Sequence, residues 1–305
     1  MATGTSNGLT TTRAPFIEAA RERREMFIEQ PYDLYSEENH QAWRTLYRRI
    51  RPRWGKYANR KFLEGVHNLM LDPERVPRLE DVNRYLAPLT GFRARPVSGY
   101  IPAYLFFDCL RRREFPTTIT VRDGEHLDYL PEPDIFHDVA GHVPMHTDRR
   151  FADVLVRFGE CAHTAAGIVQ TIRDEPERLH QAEAIIRAMA RFFWFTVEFG
   201  LMREGGELKA YGSGLLSSYG ELVHAIESPD VQRYPVQLEW VINQHFEIDH
   251  YQPLLFVVDG FDHLFALVDE LEKWLKAGRL SHVAPGEPVI DDADMRSFLE
   301  AEVGS

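Results

Sequence analysis

Two histidines, His137 and His142, stand in the stretch Pro131-Glu-Pro-Asp-Ile-Phe-His-Asp-Val-Ala-Gly-His-Val-Pro144. On an uninterrupted α-helix they would point about 140° apart, because each residue turns about 100°. Gly141 suits the position after a helix end, and Pro144 opposes continuation. The sequence therefore predicts His137 inside a short helix and His142 just beyond it, re-aimed toward the same centre. The zinc-protease pattern HExxH is absent, since Asp138 follows His137 and the spacing differs. A bare pair at this spacing is more often two unrelated polar side chains, so a third group has to be found. Glu198 is that group. It lies in Arg191-Phe-Phe-Trp-Phe-Thr-Val-Glu-Phe-Gly-Leu-Met202, with apolar residues on nearly every side. A carboxylate so placed is costly unless a cation or hydrogen-bond donors meet it. A buried arginine or an outward-reaching conformation would serve, and so would a metal. Two neutral imidazoles and one carboxylate on Fe(II) leave open positions for O₂ chemistry. Zinc accepts the same donors, and residue types alone leave both metals open. Phe106, Phe107, Phe192, Phe193, Trp194, Phe195 and Phe199 gather in the same segments. Most of these rings are core packing; together they also offer a stacking site for a planar heterocycle or an aromatic substrate.

The elements that must position these groups are mostly helical. Residues 16–29 have helical composition. Trp43, Leu46, Tyr47 and Ile50 repeat at helical spacing in a helix from about Glu38 that Pro52 ends. Further helices are expected over about 59–71, 82–89 and 102–112. Thr117 to Arg122 is β-branched and reads as a strand, with Asp123-Gly124 as a turn. Asp134 can cap the short helix that carries His137, and Asp148 a long one to about Ala166. Asp174 with Glu177 resembles a capping box opening a helix over 175–203, stopped by Gly205-Gly206. Leu208 to Tyr211 suggests a short strand, 215–226 a helix, 246–258 strand-like sequence and 261–275 a final helix. There is no GxGxxG and no P-loop. The expected fold class is mainly α with a small β component, in one domain over 16–275. Residues 1–15 read as a flexible tail, and 276–305 as an extension rich in Gly, Pro and acidic residues.

Composition narrows the partners. The chain has 305 residues and a formal net charge of −12, which opposes binding to nucleic acid or to anionic membrane surfaces. No apolar run approaches the length of a membrane helix, and the N-terminus has no signal-peptide core. Cys109 and Cys161 form no motif, which fits a reducing, cytoplasmic compartment.

The longer motifs resemble one family closely, the pterin-dependent aromatic amino acid hydroxylases. Pro131 to Pro144 resembles their iron motif, and Trp194-Phe-Thr-Val-Glu198-Phe-Gly-Leu their carboxylate helix. Lys209-Ala-Tyr-Gly-Ser-Gly-Leu-Leu-Ser-Ser-Tyr-Gly-Glu221 resembles a third block, and Arg78 to Val82 and Gly91 to Val97 the lead-in. The likeness runs from about residue 26 to 275. It implies that His137, His142 and Glu198 are the catalytic iron ligands, with Fe(II), a tetrahydropterin such as tetrahydrobiopterin, and O₂ as cofactors and co-substrate. It implies a pterin site at Gly99, Ile101, Phe106, Asp138, Ala190 and Phe193, the last often Tyr in the family. It implies that Arg122 pairs with the amino acid's carboxylate, a bidentate contact suited to guanidinium. Leu130, Pro133, Trp194, Phe199, Gly214 and Ser217 would line the substrate site, although Leu130 stands where the family often has Thr. Glu221 would support the site from behind.

The same resemblance points to L-phenylalanine as substrate. Tryptophan hydroxylases tend to have Phe at the position of Trp194, and tyrosine hydroxylases Asp at that of Ile248. Leu127-Asp-Tyr-Leu130 resembles bacterial phenylalanine hydroxylases. Animal members add a regulatory domain and a tetramerisation helix, for which there is no room, so a monomer is expected. The alternatives are 3-hydroxylation to meta-tyrosine, tryptophan hydroxylation, a zinc hydrolase on the same ligands, and a non-catalytic binding protein that kept the fold.

Overall fold

The computed structural model describes residues 8–11, 14–124, 127, 133–246, 248 and 250–303. The helices are α1 (Pro15–Glu22), α2 (Glu37–Tyr57), α3 (Arg60–Leu69), α4 (Leu79–Thr90), α5 (Ala103–Arg111), α6 (Val143–His146), α7 (Arg149–Gln170), α8 (Glu175–Phe193), α9 (Ser213–Ser217), α10 (Tyr219–Glu227), α11 (Leu238–Asn243), α12 (Phe261–Lys276) and α13 (Asp292–Leu299). The strands are β1 (Arg93–Val97), β2 (Glu114–Thr118), β3 (Leu201–Glu204), β4 (Glu207–Ala210), β5 (Gln232–Pro235) and β6 (Leu254–Val258). β1 and β2 pair in parallel; the other four form a sheet in the order β4-β3-β6-β5. This is the mainly helical fold with a minor sheet that the pattern of elements predicts.

Several helices start where their caps predict. Asp148 accepts the Phe151 N–H at 3.0 Å and Asp174 the Glu177 N–H at 3.0 Å. Several boundaries differ. α2 does not stop at Pro52 but runs on to Tyr57. An interior proline costs about 3 kcal/mol. Burial of Trp54 and Tyr57 offsets it at about 1.5–3 kcal/mol per large side chain, and Trp54 also donates to the Leu216 carbonyl at 2.7 Å. The long helix expected over 175–203 ends at Phe193, and Gly205-Gly206 makes the β3–β4 hairpin turn, both residues at positive φ. The strand expected over 117–122 is shifted to β2, while Val121 pairs with Leu9 and Thr11 (2.7 and 2.8 Å). That pairing holds residues 9–11 of the expected tail in place: Leu9 is buried, and its N–H donates to Asn39 at 3.0 Å. The helix expected to reach residue 29 ends at Glu22.

The core gathers around α7, which packs on α5 and α12, while α3 presses on α6 immediately after the two histidines. The α3–α6 contact is backbone to backbone, since a Cβ at Gly65 would collide with the Pro144 carbonyl. We therefore expect Gly65→Ala to destabilise the fold by at least about 1–3 kcal/mol through overpacking. Urea denaturation of the variant beside the wild type checks this.

Candidate metal centre and pocket

His137 and His142 sit within one continuous helical segment, not on either side of a helix end. Phe136–His142 is a π-helix that passes directly into α6. Its i→i+5 bonding brings residues five apart onto one face, which resolves the 140° problem without a chain break. Gly141 is not a terminator here. It lets α9 approach: a Cβ on it would lie 3.0 Å from the Ser213 carbonyl and 3.1 Å from Ser217 Cβ. Glu198 ends a second π segment, Trp194–Glu198, at the C-terminus of α8.

The three side chains converge. His137 Nε2 and His142 Nε2 are 3.2 Å apart. Glu198 reaches His142 Nε2 at 3.0 Å and His137 Nε2 at 3.5 Å. Ser217 Oγ donates to the Ser213 carbonyl at 2.8 Å, so its lone pairs face His137 Nδ1, also at 2.8 Å. That network assigns the proton to Nδ1 and leaves Nε2 bare toward the centre. Burial holds the His137 imidazole down to about 4, hence neutral at pH 7. Burial alone would push the Glu198 carboxyl up, but the His142 imidazole and the Ser213 hydroxyl hold it at about 2. Two imidazoles with convergent nitrogens and an ionised carboxylate form a donor set that fits Fe(II). Asp138 also brings a carboxylate oxygen within 4.8 Å of both histidines. It accepts the Thr118 N–H at 2.6 Å, and burial pushes its carboxyl up to about 7. Glu198, held ionised and 3.0 Å from His142 Nε2, carries the negative charge that a cation favours.

These groups lie in a cavity of about 1010 Å³. Its wall also includes Gly99, Ile101, Phe106, Ala190 and Phe193, together with Arg122, Pro133, Trp194, Phe199, Gly214, Ser217 and Glu221. Every sequence-predicted site residue among those described is therefore in one place; Leu130 lies outside the described residues. Phe106 meets Phe193 edge-on at 5.4 Å. Trp194 stacks on Phe246 at 4.1 Å and leans on Phe199 at 4.6 Å, making a three-ring wall. Its indole N–H donates to Gln252 at 3.3 Å.

Several contributors were not predicted, Ser213 and Phe246 among them. Asp134, expected only as a cap, accepts the His137 N–H at 3.0 Å and also holds Arg122 through Nε and Nη2, both at 2.9 Å. Burial opposes ionisation, but the Arg122 charge and the hydrogen bonds from Arg122 and the His137 N–H together outweigh it and lower the carboxyl. The N-terminal segment supplies Ile17 and Arg21 to the rim, and Arg21 donates to the Ser98 carbonyl at 2.9 Å. No motif marks that helix.

Glu221 accepts the Gln252 N–H at 2.9 Å from a buried position, and burial pushes its carboxyl from 4.5 up to about 7. A raised carboxyl pKa means the folded state binds more protons than the unfolded chain between those two values. Stability is then lost as pH rises from about 4.5 to 7. We expect Glu221→Gln, relative to wild type, to gain stability between pH 5 and pH 8; denaturation at both values checks the sign.

The chain is similar to known proteins over most of its length. Residues 12–278 match the model of the biopterin-dependent aromatic amino acid hydroxylases. A phenylalanine-4-hydroxylase of Mesorhizobium japonicum is 40% identical over 243 residues, 79% of this chain and 82% of the relative. That of Chromobacterium violaceum is 35% identical over 282 residues, 90% of each chain. A crystal structure of the C. violaceum enzyme with bound oxidized Fe(III) superposes with a TM-score of 0.76 at 34% identity, covering 86% of this chain and 89% of that one. No described helix is long and apolar enough to cross a membrane. The chain belongs to the biopterin-dependent aromatic amino acid hydroxylases.

Proposed function

We propose that this protein is a phenylalanine 4-monooxygenase, converting L-phenylalanine to L-tyrosine with O₂ and tetrahydrobiopterin at an Fe(II) held by His137, His142 and Glu198. The convergence of those three donors in one cavity that also holds Phe106, Phe193 and Arg122 carries the reading. Bound iron and pterin supply the oxygen chemistry. The protein supplies position and a dry site. Ser217 fixes the His137 tautomer, and Ser213 donates to Glu198 at 2.8 Å. Arg122, oriented by Asp134, receives the substrate carboxylate. Trp194, Phe199 and Pro133 would hold the ring; Phe106, Phe193, Asp138 and the backbone of 99–101 would hold the pterin. The chemistry needs no base from the chain, and none is assigned.

The reading extends to a cytoplasmic monomer. Cys109 and Cys161 are free and buried, which is compatible with a reducing compartment; size-exclusion chromatography tests the monomer. The activity test is an aerobic incubation with Fe(II), tetrahydrobiopterin and L-phenylalanine. Para-tyrosine is the expected product. Meta-tyrosine would keep the site and change the ring position. No product from protein that binds iron and pterin would overturn the substrate assignment, and trials with tryptophan and tyrosine would follow.

A further inference from the structure

The family match ends at residue 278, yet the chain beyond it reaches the wall of the pocket. It is fastened first at Arg191, next to the pocket residue Ala190. The Arg191 side chain is fully buried, and its guanidinium donates to the carbonyls of Ala284 (2.8 Å), Pro285 (3.1 Å), Glu287 (2.7 Å) and Ile242 (3.2 Å). Pro288 then enters the pocket wall. Asp291 caps α13, accepting the Ala293 and Asp294 N–H groups at 2.7 and 2.8 Å.

α13 in turn supplies a cap that α5 lacks. The residue before α5 is Pro102, which has no capping side chain. Asp294 fills that place from outside: its Oδ1 accepts the Ala103 N–H at 2.7 Å and the hydroxyl of Tyr100. A carboxylate at a helix N-terminus meets unpaired N–H groups and the positive end of the helix dipole. Ser297 accepts the Tyr104 N–H at 3.3 Å, and Phe298 packs edge-on against Tyr104 at 6.0 Å. The segment thus grips residues 100–104, between Gly99 and Phe106. Asp294 itself does not line the cavity.

We propose that the C-terminal segment 284–298 is part of the cofactor half of the site, and that Asp294 is a positioning residue for the pterin. It acts by fixing the Gly99–Ile101 backbone and the first turn of α5, which carries Phe106. The inference rests on the pterin reading above. It places no residue of α13 on the substrate side or on the metal, so its loss is selective.

The test measures three things on Asp294→Ala, Asp294→Asn, Tyr100→Phe and wild type: the Kd of 7,8-dihydrobiopterin by calorimetry, the Kd of L-phenylalanine, and iron content. Loss of a charge-assisted cap is expected to weaken dihydrobiopterin binding about tenfold in Asp294→Ala. Asp294→Asn, which keeps an acceptor without the charge, is expected to fall between it and wild type. L-phenylalanine affinity and iron content are expected to stay within about twofold, since neither site touches α13. Hydrogen exchange of the 98–105 amides should quicken in the same variant. Unchanged dihydrobiopterin binding would overturn the proposal, as would equal losses of pterin, amino acid and iron, which would mark a general stability role. Wild type that holds iron but binds no dihydrobiopterin would overturn the pterin reading and this inference with it. If Asp294→Ala does not fold, Asp294→Asn and Tyr100→Phe decide by the same comparison.

Discussion

Glu198→Gln is expected to leave a folded protein that no longer retains iron. Glutamine keeps the size and hydrogen-bonding shape of glutamate, so the π segment and the Ser213 contact have no steric reason to change. What is lost is the charge. Glu198 is held ionised at about 2 in a buried setting, where the interaction of a full negative charge with a divalent cation is weakly screened. Removing a partner that only orients a metal ligand typically costs about 10–100-fold in metal affinity, and removing a charged ligand costs at least that. Metal analysis after desalting should therefore show iron falling by at least about tenfold, with turnover falling alongside it and far-UV circular dichroism unchanged. Wild-type iron with wild-type turnover would move the third ligand elsewhere. Asp138 is the ready alternative, being within 4.8 Å of both imidazoles, so Asp138→Asn belongs in the same experiment. The two carboxylates are separated physically. One is ionised and faces both Nε2 atoms; the other is pushed toward neutrality by burial and occupied by the Thr118 amide.

The reason His137 and His142 work together was the least legible part of the site. Their identity stood in the sequence, but their geometry did not. An α-helical reading required a break between them, and Gly141 and Pro144 offered one. The molecule instead widens the helix, and the same device recurs at Glu198. A π segment leaves no composition mark, because its stability comes from what packs against it. Here that is α9, admitted by the missing side chain of Gly141. Caps were legible at Asp148 and Asp174 because a cap is local. Contacts across the chain were not. Nothing local says that Leu9 pairs with Val121, that Trp54 carries α2 past a proline, or that Asp294 caps a helix 191 residues away. The site's membership came from long motifs, while its rim came from the two ends of the chain, where no motif existed.

Arg122→Met should raise the KM for L-phenylalanine by about 100-fold, since truncating one partner of a desolvated charge pair costs about 2–5 kcal/mol. The methionine keeps much of the side chain's length and apolar surface, so the loss is that of the guanidinium. Discrimination should fall with it: wild type is expected to prefer L-phenylalanine strongly over 2-phenylethylamine, which lacks the carboxylate, and the variant should treat the two more nearly alike. Arg122 has a second role that would blur this result on its own. It neutralises Asp134, whose side chain is fully buried and also accepts the His137 N–H. Leaving that carboxylate unpaired costs about 3–5 kcal/mol of stability and would disturb the helix that carries both histidines. The double variant Arg122→Met with Asp134→Asn separates the two. Asparagine removes the stranded charge and keeps an oxygen for the His137 amide, so stability and iron content should return toward wild type. The raised KM and the lost discrimination should remain, because the guanidinium of residue 122 is still missing. Recovery of KM along with stability would mean that Arg122 serves Asp134 alone, and that the amino acid's carboxylate is bound elsewhere in the cavity.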